Sequence, residues 1–400
     1  MSYVASRLSA IRPSASMVAS QAAKALRATG VDVIDLGLGE PDFPTPDHII
    51  DAAFRAARAG ETLYTAPAGT PALRAAIAEK FRRENGLSFG PDDVTVANGA
   101  KQIIFNALMA TLEPGDEAIL LAPYFVSYPE MVKLLGGTPV TVECPAETGF
   151  RLTPELLEAA ITPRTKWLFL NMPGNPSGAV YSRAQLEALG AVLARHPSVL
   201  VLSDEIYEHI LFDGREFVSF AAACPELVER SLVVNGVSKS YAMTGWRVGY
   251  AAGPAPLIKA MNVVQSQSVT SVCSIAQAAA LAALEGPQDH VARFRAAFEA
   301  RRDLVVAGVA KIGGLSLPAP DGAFYAYIGC GALIGRKTPQ GTVLADDAAV
   351  ADYLLKHGRV SSVPGVAYGL SPYFRISTAT GEETLTEALA RIDAAVGALE

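Results

Sequence analysis

Four polar clusters in this 400-residue chain each follow directly on a short β-rich run. NGAK (98–101) follows VTVA, and NMPGNPSG (171–178) follows KWLFL. SDEIY (203–207) follows VLVL, and NGVSKSYAMTGWR (235–247) follows SLVV. Each has an ordinary explanation when taken singly: Gly99 a tight turn, Asn175-Pro176 a loop, Asp204 a cap, Lys239 a surface lysine. In an open α/β sheet, however, ligands bind outside the carboxyl ends of the strands, and parallel strands share one such edge. The four clusters are therefore expected on a common rim.

Their residue types suit one task. Gly99 opens a helix whose free N–H groups can bind a phosphate. Ser238 offers a hydroxyl and Arg247 a bidentate guanidinium for the same dianion. Asp204 follows the hydrophobic VLVLS, so it reads as a buried carboxylate in need of a cation. No Lys or Arg stands within ten residues on its C-terminal side, so a ligand cation is a candidate. Lys239 lies close in sequence to Arg247, whose charge is expected to lower the amine's pKa toward a free nucleophile. A phosphate anchor, an imine-forming lysine and a carboxylate for a ring nitrogen are together what pyridoxal phosphate requires.

The elements around these clusters alternate. A helix is predicted over 17–30, stopped by Gly30, and another over 70–85, with a Thr cap and Pro in its first turn. Strands are predicted at 93–98, 117–122, 138–143, 166–171, 199–204 and 231–236, mostly separated by helical stretches or long loops. This predicts an α/β domain with a mostly parallel, buried sheet flanked by helices. A long helix from about Gln288 presents Val291, Phe294, Phe298, Val305, Val309 and Ile312 on one face, ending at Gly313-Gly314. A strand-like run (322–329), a helix (347–358), a strand-like run (374–379) and a final helix follow. That is a smaller α+β domain. The expected division is 46–287 for the large domain, with 1–45 and 288–400 forming the small one.

Composition narrows the classes further. With 33 Lys+Arg against 40 Asp+Glu, the net charge is −7, which argues against a nucleic-acid binder. Half the residues are hydrophobic, which argues against disorder. Cys144, Cys224, Cys273 and Cys330 lie far apart with no CxxC pair, so neither a disulfide scaffold nor a cysteine zinc site is expected. The five histidines show no metal-ligand spacing, and no metal is expected. GLGEPD (37–42) lacks the last glycine of a dinucleotide fingerprint, and GVSKS (236–240) lacks the second glycine of a nucleophile elbow. No apolar run is long enough for a membrane span, and no secretory signal is apparent. A cytoplasmic location is expected.

In SDEIYEHILFDG and NGVSKSYAMTGWRVGYAAGP, and over nearly its whole length, the chain resembles the class I aspartate aminotransferase family of fold-type I pyridoxal-phosphate enzymes. The resemblance implies that Lys239 is the Schiff-base lysine and proton shuttle. It implies that Asp204 pairs with the pyridinium nitrogen, and that Tyr207 and Asn175 hydrogen-bond the ring oxygen. Phe125 would stack on the ring, where the family often carries Trp or Tyr. Ser238, Arg247, Gly99 and the backbone of Ala100-Lys101 would hold the phosphate. Tyr64, in LYTAPAGTPALR, would reach into a partner subunit's site, which implies a homodimer. Arg375, in YFRIS, would clamp the substrate α-carboxylate, helped by Asn175 and the backbone at Gly39. The chain departs from the family at Gly174, where asparagine is usual, and at Ser177, where threonine is usual.

The family implies exchange of an amino group between an amino acid and a 2-oxo acid. One branch reads a distal carboxylate with a partner-chain arginine, but 262–274 contains no Arg or Lys. Another uses a lysine at the position of Lys101, with N-terminal hydroxyls matched by Ser14 and Ser16. That branch points to aspartate, glutamate and prephenate-type substrates. Alternatively, Lys101 neutralises only the coenzyme phosphate. Aromatic or alanine specificity and a C–S β-lyase activity are the other readings within this fold.

Overall fold

The computed structural model describes residues 3–400. In chain order its strands are β1 (Ile34–Asp35), β2 (Val94–Ala97), β3 (Glu117–Ala122), β4 (Thr138–Glu143), β5 (Thr165–Asn171), β6 (Leu200–Asp204), β7 (Ser231–Gly236), β8 (Gly249–Ala252), β9 (Tyr325–Gly329), β10 (Val360–Ser361), β11 (Val363–Pro364) and β12 (Tyr373–Ser377). Seven form one sheet in the order β2-β8-β7-β6-β5-β3-β4. Its pairings are parallel except around β8, which runs antiparallel to β2 and β7. The fold is thus the expected α/β class with a mostly parallel sheet. The sequence reading does not single out β8, because GYAA lacks any β-branched residue.

Residues of the central strands feed three core clusters. Phe169, Leu202, Leu232 and Val234 pack with Ile103, Ile104 and Ala107 of the helix Ala100–Thr111 and with Ile258 and Met261 of the helix Ala255–Ser268. Their neighbours Leu168, Leu170 and Val201 face the helix Arg183–Leu193. Val94, Val96 and Val233 meet the helices Pro71–Lys80 and Ser274–Glu285. Burial on both faces explains why these strands read as continuous apolar runs. The edge strand β4 is covered less well and alternates with exposed side chains.

The remaining strands are few and short. β11, β12 and β9 form an antiparallel sheet, and β1 pairs in parallel with β10. They share a core with the helices Asp289–Val309 and Glu382–Gly397 through Leu36, Val305, Val309, Ile328, Phe374, Ile376 and Ile392. Several predicted boundaries shift, among them the helix predicted over 347–358, which is α-helical only to Tyr353. The helix predicted over 70–85 is capped by Thr70, whose Oγ1 accepts from the Leu73 amide, but it is α-helical only to Lys80. It then widens into a π turn, Phe81–Asn85, that ends at Gly86 in the left-handed region. The strand-like run at 322–329 is a strand only from Tyr325. Among the described residues no helix is long and apolar enough to cross a membrane.

Candidate functional site

The four clusters do meet at one rim. β2, β5, β6 and β7 run in the same direction, so residues 98–101, 171–178, 203–207 and 235–247 leave the same edge of the sheet. A cavity of about 260 Å³ opens there, lined from the sheet side and from β9 and β12. Gly39, Ala100, Lys101, Phe125, Asn175, Asp204, Tyr207, Ser238, Lys239, Arg247 and Arg375 all line it, together with Ser14 and Ser16. Gly99 lies just behind the lining. Tyr64 is 90% exposed and is not part of the lining within one chain.

One end of the cavity is built for an anion. Gly99 is the N-cap of the helix Ala100–Thr111, at φ +88°, and no side chain caps that helix. A Cβ on Gly99 would overlap the Arg247 guanidinium, so only glycine lets the cation sit against the helix start. Arg247 is itself held by Nη1 donating to the Thr244 carbonyl at 2.8 Å and Nη2 donating to the Asn98 carbonyl at 3.3 Å. Free helix amides, a guanidinium and the Ser238 hydroxyl converge as a phosphate cradle would require.

The floor holds Asp204, which is 5% exposed. Its Oδ2 accepts from the Tyr128 hydroxyl at 2.6 Å and its Oδ1 from the Ile206 amide at 3.4 Å. Burial pushes its pKa up to about 6, against the lowering effect of the Tyr128 bond. A buried carboxylate whose hydrogen-bond donors are both neutral suits a protonated ring nitrogen. Lys239 Nζ donates to the Gly39 carbonyl at 2.7 Å. Its pKa is lowered to about 8, and burial is the leading cause. Glu40 opposes the shift, while Arg375 and Arg247 add to it. Arg247 thus lowers the amine's pKa as expected, and desolvation adds a larger effect in the same direction. The phosphate cradle, the buried Asp204 and the free amine fit pyridoxal phosphate.

The wall toward β9 and β12 carries Arg375, 2% exposed. Its Nη1 donates to Asn175 Oδ1 at 3.2 Å, and its Nη2 donates to the Gly37 carbonyl. Arg375 thus bonds the backbone at Gly37, while the Gly39 carbonyl accepts from Lys239. The buried Nε of Arg375 has no hydrogen-bond partner, which leaves the guanidinium with capacity for a carboxylate. Lys101 stands solvent-exposed at the mouth with its Nζ 5.2 Å above the Phe125 ring. Partial desolvation of the amine and the Arg247 charge hold its pKa below the usual lysine value.

Sequence reasoning missed four polar residues of this cavity: Tyr128, Asn171, Thr244 and Tyr325. Tyr128 stands in APYFVSY, one turn beyond Phe125, and begins the helix Tyr128–Leu134. The Tyr325 hydroxyl lies 2.7 Å from that of Tyr207. Neither pairing has a local signal. Behind the floor, Glu208 accepts from Lys80 and, at 2.7 Å, from the side-chain amides of Asn85 and Asn235. Lys80 also lies 3.6 Å from Glu84. Glu84 and Glu208 therefore face an ammonium group already present in the chain, and His209 Nε2 lies 2.9 Å from Glu84.

Comparison with known proteins places this geometry. The family described as "Aminotransferase class I and II" matches residues 31–392. The aspartate/prephenate aminotransferase of Cereibacter sphaeroides is 55% identical, covering 98% of each chain. The aspartate aminotransferase of Rhizobium meliloti is 54% identical, covering 98% of this chain and 95% of its own. A crystal structure of a Rhizobium meliloti aspartate aminotransferase superposes with a TM-score of 0.97 at 53% identity, covering 100% of both chains. The Thermus thermophilus aspartate aminotransferase with maleate gives 0.92 at 45% identity, covering 99% of this chain and 100% of that one.

Proposed function

Because the chain belongs to the class I and II aminotransferases, a pyridoxal-phosphate-dependent family, we propose that it exchanges the amino group of aspartate or glutamate with a 2-oxo acid in two half-reactions. The observation that carries this reading is a cavity with Lys239 and Asp204 on its floor, a phosphate cradle at one end and Arg375 on the opposite wall.

Pyridoxal phosphate, when bound, supplies an electron sink for the negative charge left on the substrate's α-carbon. The chain's residues then divide the work. Asp204 would hold the ring nitrogen protonated. Tyr207 and Asn175 would donate to the ring oxygen, and Phe125 would pack on the ring. Ser238, Arg247 and the amides of Ala100 and Lys101 would hold the phosphate. Lys239 would hold the coenzyme between turnovers. During turnover its amine, whose pKa burial lowers to about 8, takes the proton from the substrate Cα in its neutral form and later returns it. Arg375 binds the α-carboxylate, supported by Asn175, and the Ser14 and Ser16 hydroxyls close over the substrate.

Specificity for a second carboxylate falls to Lys101, the exposed cation at the cavity mouth. Relatives named for aspartate and for aspartate/prephenate support this reading, as does a relative's structure with maleate, a dicarboxylate. We further infer a homodimer in which Tyr64 completes the partner's site; Tyr64 and Leu63, 90% and 81% exposed, suit a surface that a second copy covers. The large unit is taken as 46–287 and the small unit as 1–45 with 288–400. Three buried free thiols and the absence of a disulfide among the described residues agree with a cytoplasmic location.

The test is a half-reaction screen. Purified protein loaded with pyridoxal phosphate is mixed with single amino acids while the coenzyme's visible absorbance is followed. Aspartate and glutamate should bleach it fastest. Borohydride treatment followed by peptide mapping should place the coenzyme on Lys239. An unlabelled Lys239, or pyruvate and ammonia released with no acceptor present, would overturn the reading.

A further inference from the structure

Tyr325 touches three working parts of the cavity, Tyr207, Arg375 and the segment at Gly39, without being assigned a part in it. It enters from β9 and is 2% exposed. Its hydroxyl is 2.7 Å from that of Tyr207, itself 4% exposed. Its ring lies under the Arg375 guanidinium, 4.6 Å from the centroid. A Cβ on Gly39 would overlap the Tyr325 hydroxyl, so the glycine is what admits the tyrosine, and the same Gly39 carbonyl accepts from Lys239. One side chain therefore joins the carboxylate anchor, the ring-oxygen donor and the segment that contacts the lysine.

Two hydroxyls facing each other share one proton in the bond between them. If Tyr207 spends its proton on Tyr325, it has none to give a ligand. If Tyr325 donates, Tyr207 is left with its own proton free to point into the cavity. The guanidinium stacked on the Tyr325 ring draws on its electrons and makes it the better donor, and hydrogen bonds in such a chain strengthen one another.

We propose that Tyr325 is a positioning residue that donates to Tyr207, aiming the Tyr207 proton at the coenzyme's ring oxygen while its ring sets the plane of Arg375. The proposal rests on the pyridoxal-phosphate reading above.

Tyr325→Phe keeps the ring and removes only the hydroxyl. The dissociation constant for pyridoxal phosphate, measured by titrating the coenzyme-free protein, should rise about three- to tenfold. The pH midpoint of the coenzyme's visible absorbance should move upward, because the weakened donor favours less negative charge on the ring oxygen. KM for the amino acid should change little. Tyr325→Leu, which also removes the ring, should raise that KM as well. In a Tyr207→Phe background, Tyr325→Phe should add nothing to the loss of coenzyme affinity. An unchanged constant and midpoint in Tyr325→Phe, or fully additive losses in the double variant, would overturn the proposal. Wild-type protein that takes up no pyridoxal phosphate would instead overturn the functional reading on which it rests.

Discussion

The hydroxyl of Tyr128 donates a 2.6 Å hydrogen bond to Oδ2 of Asp204, across 76 positions of sequence, at the floor of a cavity that both residues line. It is one of two neutral donors within hydrogen-bond distance of the carboxylate, the other being the Ile206 amide at 3.4 Å. Burial pushes the Asp204 pKa up to about 6 while this bond pulls it down. The floor is therefore held in a state that favours arrival of a cation.

Asp204→Asn should separate stability from function. In the coenzyme-free protein, Asp204 titrates near 6 when folded and near 3.8 when unfolded. Between those values the folded state binds more protons, so stability falls as pH rises through the window. The neutral amide escapes this penalty. Coenzyme-free Asp204→Asn should be more stable than wild type at pH 7.5, by on the order of 1–3 kcal/mol, with the gap closing below pH 4. Its half-reaction with aspartate should slow by roughly 10²–10³-fold. Thermal melts across pH and stopped-flow absorbance check the two halves.

Tyr128→Phe removes a bond that lowers the Asp204 pKa. The carboxylate then ionises at higher pH, so the acid limb of pyridoxal phosphate uptake should move to higher pH. The alkaline limb should stay in place, because Lys239 is untouched. Equilibrium titration from pH 5 to 9 is the measurement. An acid limb that does not move would show that the bond leaves Asp204 unaffected.

Lys239 gives the opposite linkage. Its pKa is about 8 when folded and about 10.5 when unfolded, because its amine is desolvated. Between these values the unfolded state binds more protons, so coenzyme-free protein should gain stability as pH rises through the window. Below pH 8 the penalty for the buried ammonium is fully present. Relative to Lys239→Met, wild type should therefore be destabilised at pH 7 and recover toward pH 10. Denaturant titrations of both proteins at the two pH values test the sign.

Lys101→Ala should raise KM for aspartate and glutamate about tenfold or more, the loss expected for a charge-assisted hydrogen bond. KM for alanine, which has no distal carboxylate, should barely change. Equal losses for all three amino acids, with weaker coenzyme binding, would assign Lys101 to the phosphate instead.

Local pattern and tertiary structure made different contributions. The strands that carry the site were legible because they are buried on both faces, which writes continuous apolar runs into the sequence. The rule that parallel strands share a carboxyl edge then placed Asp204, Lys239, Asn175 and Arg247 together before any coordinates. Strand β8 left no such trace, since GYAA has no β-branched residue and a Cβ on Gly249 would overlap the backbone at Gly99-Ala100. Tyr128, Tyr325 and the Lys80–Glu208 pair act across 76, 118 and 128 positions, far beyond the reach of any periodicity. The same holds for the lysine. Arg247 was visible as a neighbour eight residues on, but the larger cause of the low pKa is desolvation in a cavity closed by β9 and β12. Spacing along a chain encodes which face a residue shares with its near neighbours. Which distant groups meet it there, and how much water they leave, is set only when the elements pack.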